Sequence, residues 1–501
     1  MQRKHIIITA AALLVSLAAA QTEDSNGFAW RAEMTGIISK DNTPFWMVSN
    51  HHGLVPLDAP GGYVSAGALY RGSAKGWSWE AGLDLAVAAP RYRNAFVRQA
   101  YGELGYRSLR LTVGSREQYT SLWDRELSSG DMVRSANARP LPEVMLSIPD
   151  YAPVWLAERW LQLKGHFSAG LSFDTDYLKH FTQGKQTYVT DVLWHYKALH
   201  FRLKDSEERF PLSLEFGLQH GAQWGGVSTN PKVGAQPKSL GDFLRVVMGM
   251  AGDDNATISD QINVLGNQYG SYDFRLSYNA AADWSIWAYH QRFFEDKSGT
   301  EFLNGMDGLW GLQLNLPPSL PWIGKVLFEI LETRHQTGPF HFIEFDHEKH
   351  PGVGGGADNY YNNGEYVTGL SYFNRGIGSP LIASPEYNAD GKLGFADTRT
   401  HHLHFGIAGR FIPELSYRAL FTVMETWGTH YRPYLNTKKG MSGMGELAYS
   451  PAFLPGWTFT GTIAADRGDY LRRKGIGASI GIARNFAKQA NPRRAPKGLR
   501  R

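Results

Sequence analysis

The stretch Trp77-Ser78-Trp79-Glu80-Ala81-Gly82-Leu83-Asp84-Leu85-Ala86-Val87 alternates in polarity. Every odd position is apolar and every even position is small or polar, the period-two pattern of a strand with one apolar face and one polar face. The pattern returns at 109–114, 167–173, 212–218, 272–278, 457–463 and 475–482. Roughly fifteen such stretches of strand length, separated by turn residues, run along most of the chain.

Length and composition narrow what these strands build. The chain has 501 residues, 55 of them glycine and none cysteine. The missing cysteine excludes disulfide scaffolds, thiolate zinc sites, iron–sulfur ligation and cysteine nucleophiles. A mean hydropathy of −0.34 argues against a bundle of apolar spanning helices. Arg3 and Lys4, an apolar run from Ile6 to Leu17, and Ala18-Ala19-Ala20 before Gln21 read as a cleaved signal peptide over 1–20. Export without a later spanning helix leaves a soluble exported protein or an outer-membrane barrel.

Alternation alone fits a soluble sandwich as well as a barrel. The even faces carry Gly, Ser, Thr, Asp, Arg and Glu, as a watery lumen would. Tyr70, Trp77, Tyr106, Tyr278, Trp284 and Trp457 fall near strand ends, where aromatic girdles lie. The last strand ends at Phe486, a terminal aromatic like those of outer-membrane barrels. The expected fold is therefore all-β, a transmembrane antiparallel β-barrel of about 16–18 strands with inward-folded loops and a few short helices. Its expected parts are a short N-terminal segment at 21–62, a barrel over 63–486 and a basic tail at 487–501.

Several segments do not alternate. Residues 119–160 are rich in Pro, Ser and Asn, and 226–242 form a loop with Gly and two prolines. Ser239-x-x-Asp242 has the form of a capping box, with Phe243, Val246, Val247 and Met250 following at helical spacing. A short helix there would most simply fold into the lumen or cap a loop. Residues 335–368 hold histidines, a Gly-rich run and Asp358-Asn359-Tyr360-Tyr361-Asn362-Asn363, and loops this long are usually functional or mobile.

These irregular segments carry words in a fixed order: Thr43-Pro44-Phe45-Trp46-Met47-Val48-Ser49-Asn50, Leu127-Ser128-Ser129-Gly130, Asn137-Ala138-Arg139-Pro140-Leu141-Pro142-Glu143-Val144 and Ile148-Pro149-Asp150-Tyr151. Gly217-Leu218-Gln219-His220-Gly221-Ala222-Gln223-Trp224-Gly225-Gly226, Asp260-Gln261-Ile262-Asn263, Tyr360-Tyr361-Asn362-Asn363 and Arg375-Gly376-Ile377-Gly378-Ser379-Pro380-Leu381 continue the series. Together they resemble the Wzi family of capsule assembly proteins, outer-membrane barrels that act as surface lectins for capsular polysaccharide. The resemblance implies a barrel with a surface role. Members carry a helical bundle that plugs the periplasmic end, whereas the short stretch 21–62 leaves room only for a reduced plug or a first strand region.

A lectin needs flat rings for sugar C–H faces and planar polar groups for hydroxyls. The family words supply candidates of those types: Trp46, Asn50, Arg139, Glu143, His220, Trp224, Tyr360, Tyr361, Asn362 and Arg375. The competing reading makes them a network that holds an inward-folded loop, since buried Arg, Glu and Asn need partners. Metal ligation is a further alternative at His341, His347, Glu348 and His350, or at His401, His402 and His404. Neither cluster has the helical His-Glu-x-x-His arrangement, so solvated loop histidines are expected and no metal or cofactor is predicted. No Gly-x-Ser-x-Gly elbow stands at a strand–helix turn, and nothing calls for an enzyme.

The leading expectation is a monomeric barrel that binds capsular or exopolysaccharide, with outer-membrane lipid and polysaccharide export machinery as further partners. A diffusion channel for small solutes or sugars is the alternative. The net charge of +4 does not point to nucleic acid. Without Arg3, Lys4 and the six cations of 487–501, basic residues fall from 51 to 43 against 47 acidic ones. What remains is a mildly acidic barrel with a short cationic end.

Overall fold

The computed structural model describes residues 26–119, 122–154, 157–280, 283–295, 297–338, 356–388, 390–471 and 474–487. The signal peptide expected over 1–20 and the tail beyond Ala487 lie outside the described residues. Eighteen strands form one antiparallel sheet. They are β1 (Gly27–Asp41), β2 (Gly61–Ala74), β3 (Trp77–Ala89), β4 (Ala95–Tyr106), β5 (Leu109–Ser115), β6 (Pro142–Pro153), β7 (Leu161–Leu171), β8 (Leu193–Lys204) and β9 (Leu212–Trp224). The rest are β10 (Asn267–Asn279), β11 (Ser285–Phe294), β12 (Gly308–Asn315), β13 (Lys325–Glu332), β14 (Thr400–Ile412), β15 (Leu415–Gly428), β16 (Pro433–Tyr449), β17 (Trp457–Gly468) and β18 (Gly475–Ala487). Each strand pairs with its neighbour in sequence, and β1 closes on β18 from Ala29↔Ala487 to Asp41↔Gly475. Closure leaves no free sheet edge, which a wall in hydrocarbon requires.

The first strand begins at Gly27, ahead of the barrel start expected at residue 63. Its outward residues Phe28, Trp30 and Ile38 are exposed. Ala32 and Gly36 share that face and dilute the apolar signal that marks the other strands.

The two ends differ. Connections at one end are short (75–76, 107–108, 413–414), and the longest is 316–324. The other end carries 42–60, 116–141, 172–192, 225–266 and 333–399. Short turns belong to the periplasmic side of such barrels and long loops to the extracellular side, so the loop end faces outward. The strand-end aromatics all gather at the turn end, where Trp77 meets Tyr106 at 4.9 Å and Tyr278 meets Trp284 at 5.5 Å. They mark one interface rather than two.

Outward residues such as Leu83, Leu85, Val113, Val144, Leu403 and Ile476 form an exposed apolar belt. The opposite face is polar and yet buried, including Asp84, Gln219, Asp273, Gln291, Glu329, His404 and Thr422. Segments 42–60, 116–141 and 356–399 fold inward and pack an apolar cluster within the barrel. It includes Trp46, Leu127, Met132, Tyr360, Tyr361 and Leu381. The luminal polar groups serve loop backbone, whose buried N–H and C=O groups need partners. A watery lumen was the sequence expectation; at this level the structure fills it with chain.

The helix expected after Ser239 is present as Leu240–Met248, with a complete Ser239/Asp242 capping box. It lies neither in the lumen nor over a loop. Its Phe243 and Val246 cluster with Ala222, Trp224 and Leu265, and Phe243 also meets outward-facing Phe167. The helix therefore rests on the outer wall. No described helix is long and apolar enough to cross a membrane.

Candidate functional site

Glu329 on β13 is one of the buried latches of the inward segments. It is fully buried and accepts hydrogen bonds from Ser128 Oγ (2.7 Å), Ser129 N (2.8 Å) and Tyr289 Oη (2.5 Å). Around it, His404 Nε2 meets Leu127 O at 2.7 Å and Gln291 accepts from Met132 N at 2.6 Å. Lys325 bonds Asp124 at 2.7 Å, and Asp466 accepts from Phe45 N at 2.9 Å. The wall thus grips 42–60 and 116–141 at several heights.

Most of the expected sugar contacts belong to this inner network. Trp46 donates to Thr422 Oγ1 at 3.1 Å and packs on His404. Asn50 donates to Ser129 O at 3.1 Å. The Arg139 guanidinium sits between the rings of Phe96 (4.0 Å) and Phe373 (4.4 Å), and burial, aided by Arg375, holds its pKa down to about 10. Glu143 pairs with Arg134 (2.5 Å) and accepts from Gln118 (2.9 Å), not with nearby Arg139. Arg375 holds Glu386 at 2.5 Å and reaches Val55 O at 3.4 Å. Tyr360 and Tyr361 are fully buried. The Tyr361 hydroxyl donates to Met132 O (2.5 Å) and accepts from Ser379 N (3.0 Å). A Cβ at Gly378 would fall 2.2 Å from that hydroxyl, which explains the glycine in this word. These seven side chains join loop to loop or loop to wall.

His220 and Trp224 do not face the lumen. On β9 the even positions Leu212, Leu214 and Leu218 point outward, and His220 and Trp224 continue that face. Trp224 lies beneath Phe243 of the outer helix at 5.5 Å, and His220 meets Gln268 at 2.6 Å.

Asn362 lines an outward-facing pocket. Segment 356–399 and the β15–β16 hairpin enclose about 550 Å³ between Asn362, Asn388, Lys392, Phe395, Tyr431 and Tyr434. Asn362 fixes its base by donating to Phe395 O (2.8 Å) and accepting from Phe395 N (2.8 Å). Asn388 braces the turn above it through Lys392 O (2.7 Å) and Gly394 O (3.0 Å). The Tyr431 ring is 54% exposed, leaving a face open while its hydroxyl reaches Ala357 O at 3.2 Å. Tyr434 donates to Asp397 Oδ1 at 2.8 Å. A pocket of this size offers the open Tyr431 ring for stacking, amides for hydroxyl recognition and Arg432 as a cation, while Lys392 is paired with Asp390 at 2.8 Å. Tyr431 and Tyr434 sit at a hairpin between two alternating strands, where local pattern gives them no distinction.

A second recess, of about 530 Å³, opens toward the turn end between the wall and segment 116–141. Glu103, Arg110, Arg116, Asp150 and Lys164 line it, and Gln118, Tyr119 and Arg134 form its inner limit. His341, His347, Glu348 and His350 lie outside the described residues. His402 and His404 are buried on the luminal face, with His402 against Thr400 at 2.5 Å. Among the described residues no cluster of His and carboxylates is arranged to hold a metal.

A closed barrel with an apolar belt, inward-packed loops and a polar–aromatic pocket at its loop end defines an outer-membrane β-barrel with a filled lumen. The family model described as "Capsule assembly protein Wzi" matches residues 61–382, and the chain belongs to that family. Among solved structures, Escherichia coli Wzi is similar in fold at 14% identity and a TM-score of 0.56, covering 97% of this chain and 88% of its own. That protein is described as an outer-membrane protein involved in group 1 capsule assembly and as a carbohydrate-binding β-barrel. Pseudomonas aeruginosa OprD is 10% identical over 94% of this chain and 98% of its own, with a TM-score of 0.46. No curated protein sequence matches the chain significantly.

Proposed function

We propose that this barrel binds capsular or extracellular polysaccharide at the cell surface and supports its assembly or attachment there, as a monomer in the outer membrane. The observation that carries this reading is the loop-end pocket around Asn362, Tyr431 and Tyr434 above a lumen filled by chain. A repetitive glycan engages many barrels at once, so modest affinity at each pocket accumulates along the polymer. The inner-network hydroxyls that stand beside a base, Ser128 at Glu329 and Thr400 at His402, are buried, and a binding role needs no nucleophile. The basic tail expected at 487–501 would lie on the periplasmic side, within reach of anionic lipid or the export machinery. Family membership supports the capsule role, and the filled lumen weighs against a diffusion channel.

Deletion of the gene tests this reading. Cells lacking the protein are expected to shed polysaccharide into the medium while synthesis continues at its normal level. Unchanged retention at the surface contradicts the proposal.

A further inference from the structure

The outer wall changes character across β8 to β11. Elsewhere the apolar belt climbs close to the loop-end strand termini, as at Ile38, Val113, Val144, Leu403 and Ile476. On this sector the corresponding outward positions are His195, Lys197, His220, Gln268, His290 and Arg292. Polar groups at that height would face hydrocarbon on a bare barrel, at considerable cost.

Two loops cover them. The helix Leu240–Met248 lies over the first four: Lys197 Nζ donates to Val247 O, Gln268 donates to Val246 O (3.3 Å) and Leu265 O (2.9 Å), and Phe243 meets His195 at 5.7 Å. Residues 297–307 cover Arg292, which donates to Phe302 O at 2.9 Å. Trp310, from the adjacent strand, stacks on His290 at 3.6 Å. The covers then expose apolar side chains of their own. Leu240, Leu244 and Met248 form a stripe at i, i+4, i+8 that is 57–76% exposed, and Phe302 and Met306 extend it. The helix's one cation, Arg245, is neutralised by Asp242 (3.4 Å) and Asp253 (2.6 Å).

We propose that these two loops are seated in the outer leaflet, with Leu240, Leu244, Met248 and Phe302 in contact with lipid acyl chains. The occupant follows from continuity: the stripe lies on the same wall and at the same height as the lipid-facing belt, and it replaces the belt where the wall turns polar. An in-plane amphipathic helix of this kind seats its apolar face at the headgroup–acyl boundary. The loop 225–266 is thereby a bilayer contact and not part of the glycan pocket.

The absence of native cysteine permits single nitroxide labels on the full chain. Cysteines replacing Leu244, Met248 and Phe302 are compared with Leu403→Cys in the belt and Lys185→Cys on an exposed loop, in phosphatidylcholine vesicles. The expected result is accessibility to oxygen at the three loop sites matching Leu403→Cys, with accessibility to a water-soluble nickel chelate several-fold below Lys185→Cys. Nickel accessibility equal to that of Lys185→Cys overturns the proposal. Low accessibility to both reagents, the mark of cover by protein, overturns it as well. Because three sites on two loops are read, misfolding of one variant leaves the test intact.

Discussion

Replacing Glu329 by Gln perturbs the inner network at a fully buried latch. The carboxylate accepts three hydrogen bonds on two oxygens. An amide keeps one acceptor and turns an NH2 group toward donors at the other position, so at least one buried donor loses its partner. Bonds to a charged acceptor contribute about 1.5–3 kcal/mol each, and a stranded donor adds desolvation cost, giving a loss near 2–4 kcal/mol in the docking of 116–141. At about 1.4 kcal/mol per factor of ten, the undocked population rises roughly 30- to 700-fold. Trypsin reads this directly, because Arg134 lies in the docked segment with its side chain only 15% exposed. Where reclosure outpaces cleavage, the rate of cutting after Arg134 follows the open population. Electrophoretic heat modifiability of the barrel, measured in parallel, should stay close to wild type. A cleavage rate within twofold of wild type would refute the claim that Glu329 latches this segment.

Other expectations follow from the same contacts. Arg375→Ala leaves Glu386 buried without its cation and should destabilise the fold by about 3–5 kcal/mol, visible as a lower heat-modification temperature. Burial raises the Asp307 carboxyl to about 7, against hydrogen bonds from Gln336 N and His335 N that lower it. A raised acid stabilises the folded contact when protonated, so this contribution is fully present below the ordinary value of 3.8 and is lost as pH rises to about 7. Asp307→Asn should flatten that part of the profile of melting temperature against pH. In planar bilayers the intact protein should hold no steady open pore, whereas deletion of 116–141 should produce one; a stable wild-type conductance would favour the channel reading.

Much of the barrel was legible from side-chain parity, because lipid outside and polar contacts inside impose opposite demands on successive residues. Strand number also fell within the expected range. Parity could not say what the polar face touches: Glu329, Gln291 and His404 would look the same facing water or facing loop backbone. For that reason the inner network was visible only as family words, and the same words were open to a sugar-binding reading. His220 and Trp224 show a signal that was present but unused. They continue the even face of Leu212, Leu214 and Leu218, which places them outside the lumen. The helix after Ser239 was legible from its capping box, yet its location depended on polar wall residues several strands away. Tyr431 and Tyr434 become a site only when the β15–β16 hairpin meets the segment around Asn362, a juxtaposition that local sequence does not encode.

Glycan recognition by the barrel is measured by binding of the refolded protein to the producing strain's own capsular polysaccharide. Wild type should bind, and Tyr431→Ala and Asn362→Ala should each weaken binding by about 1 kcal/mol, roughly fivefold, from lost stacking or loosened pocket geometry. Trp224→Ala, beneath the outer helix, should bind as wild type does. No binding by wild type, or equal binding by all four proteins, would contradict the account.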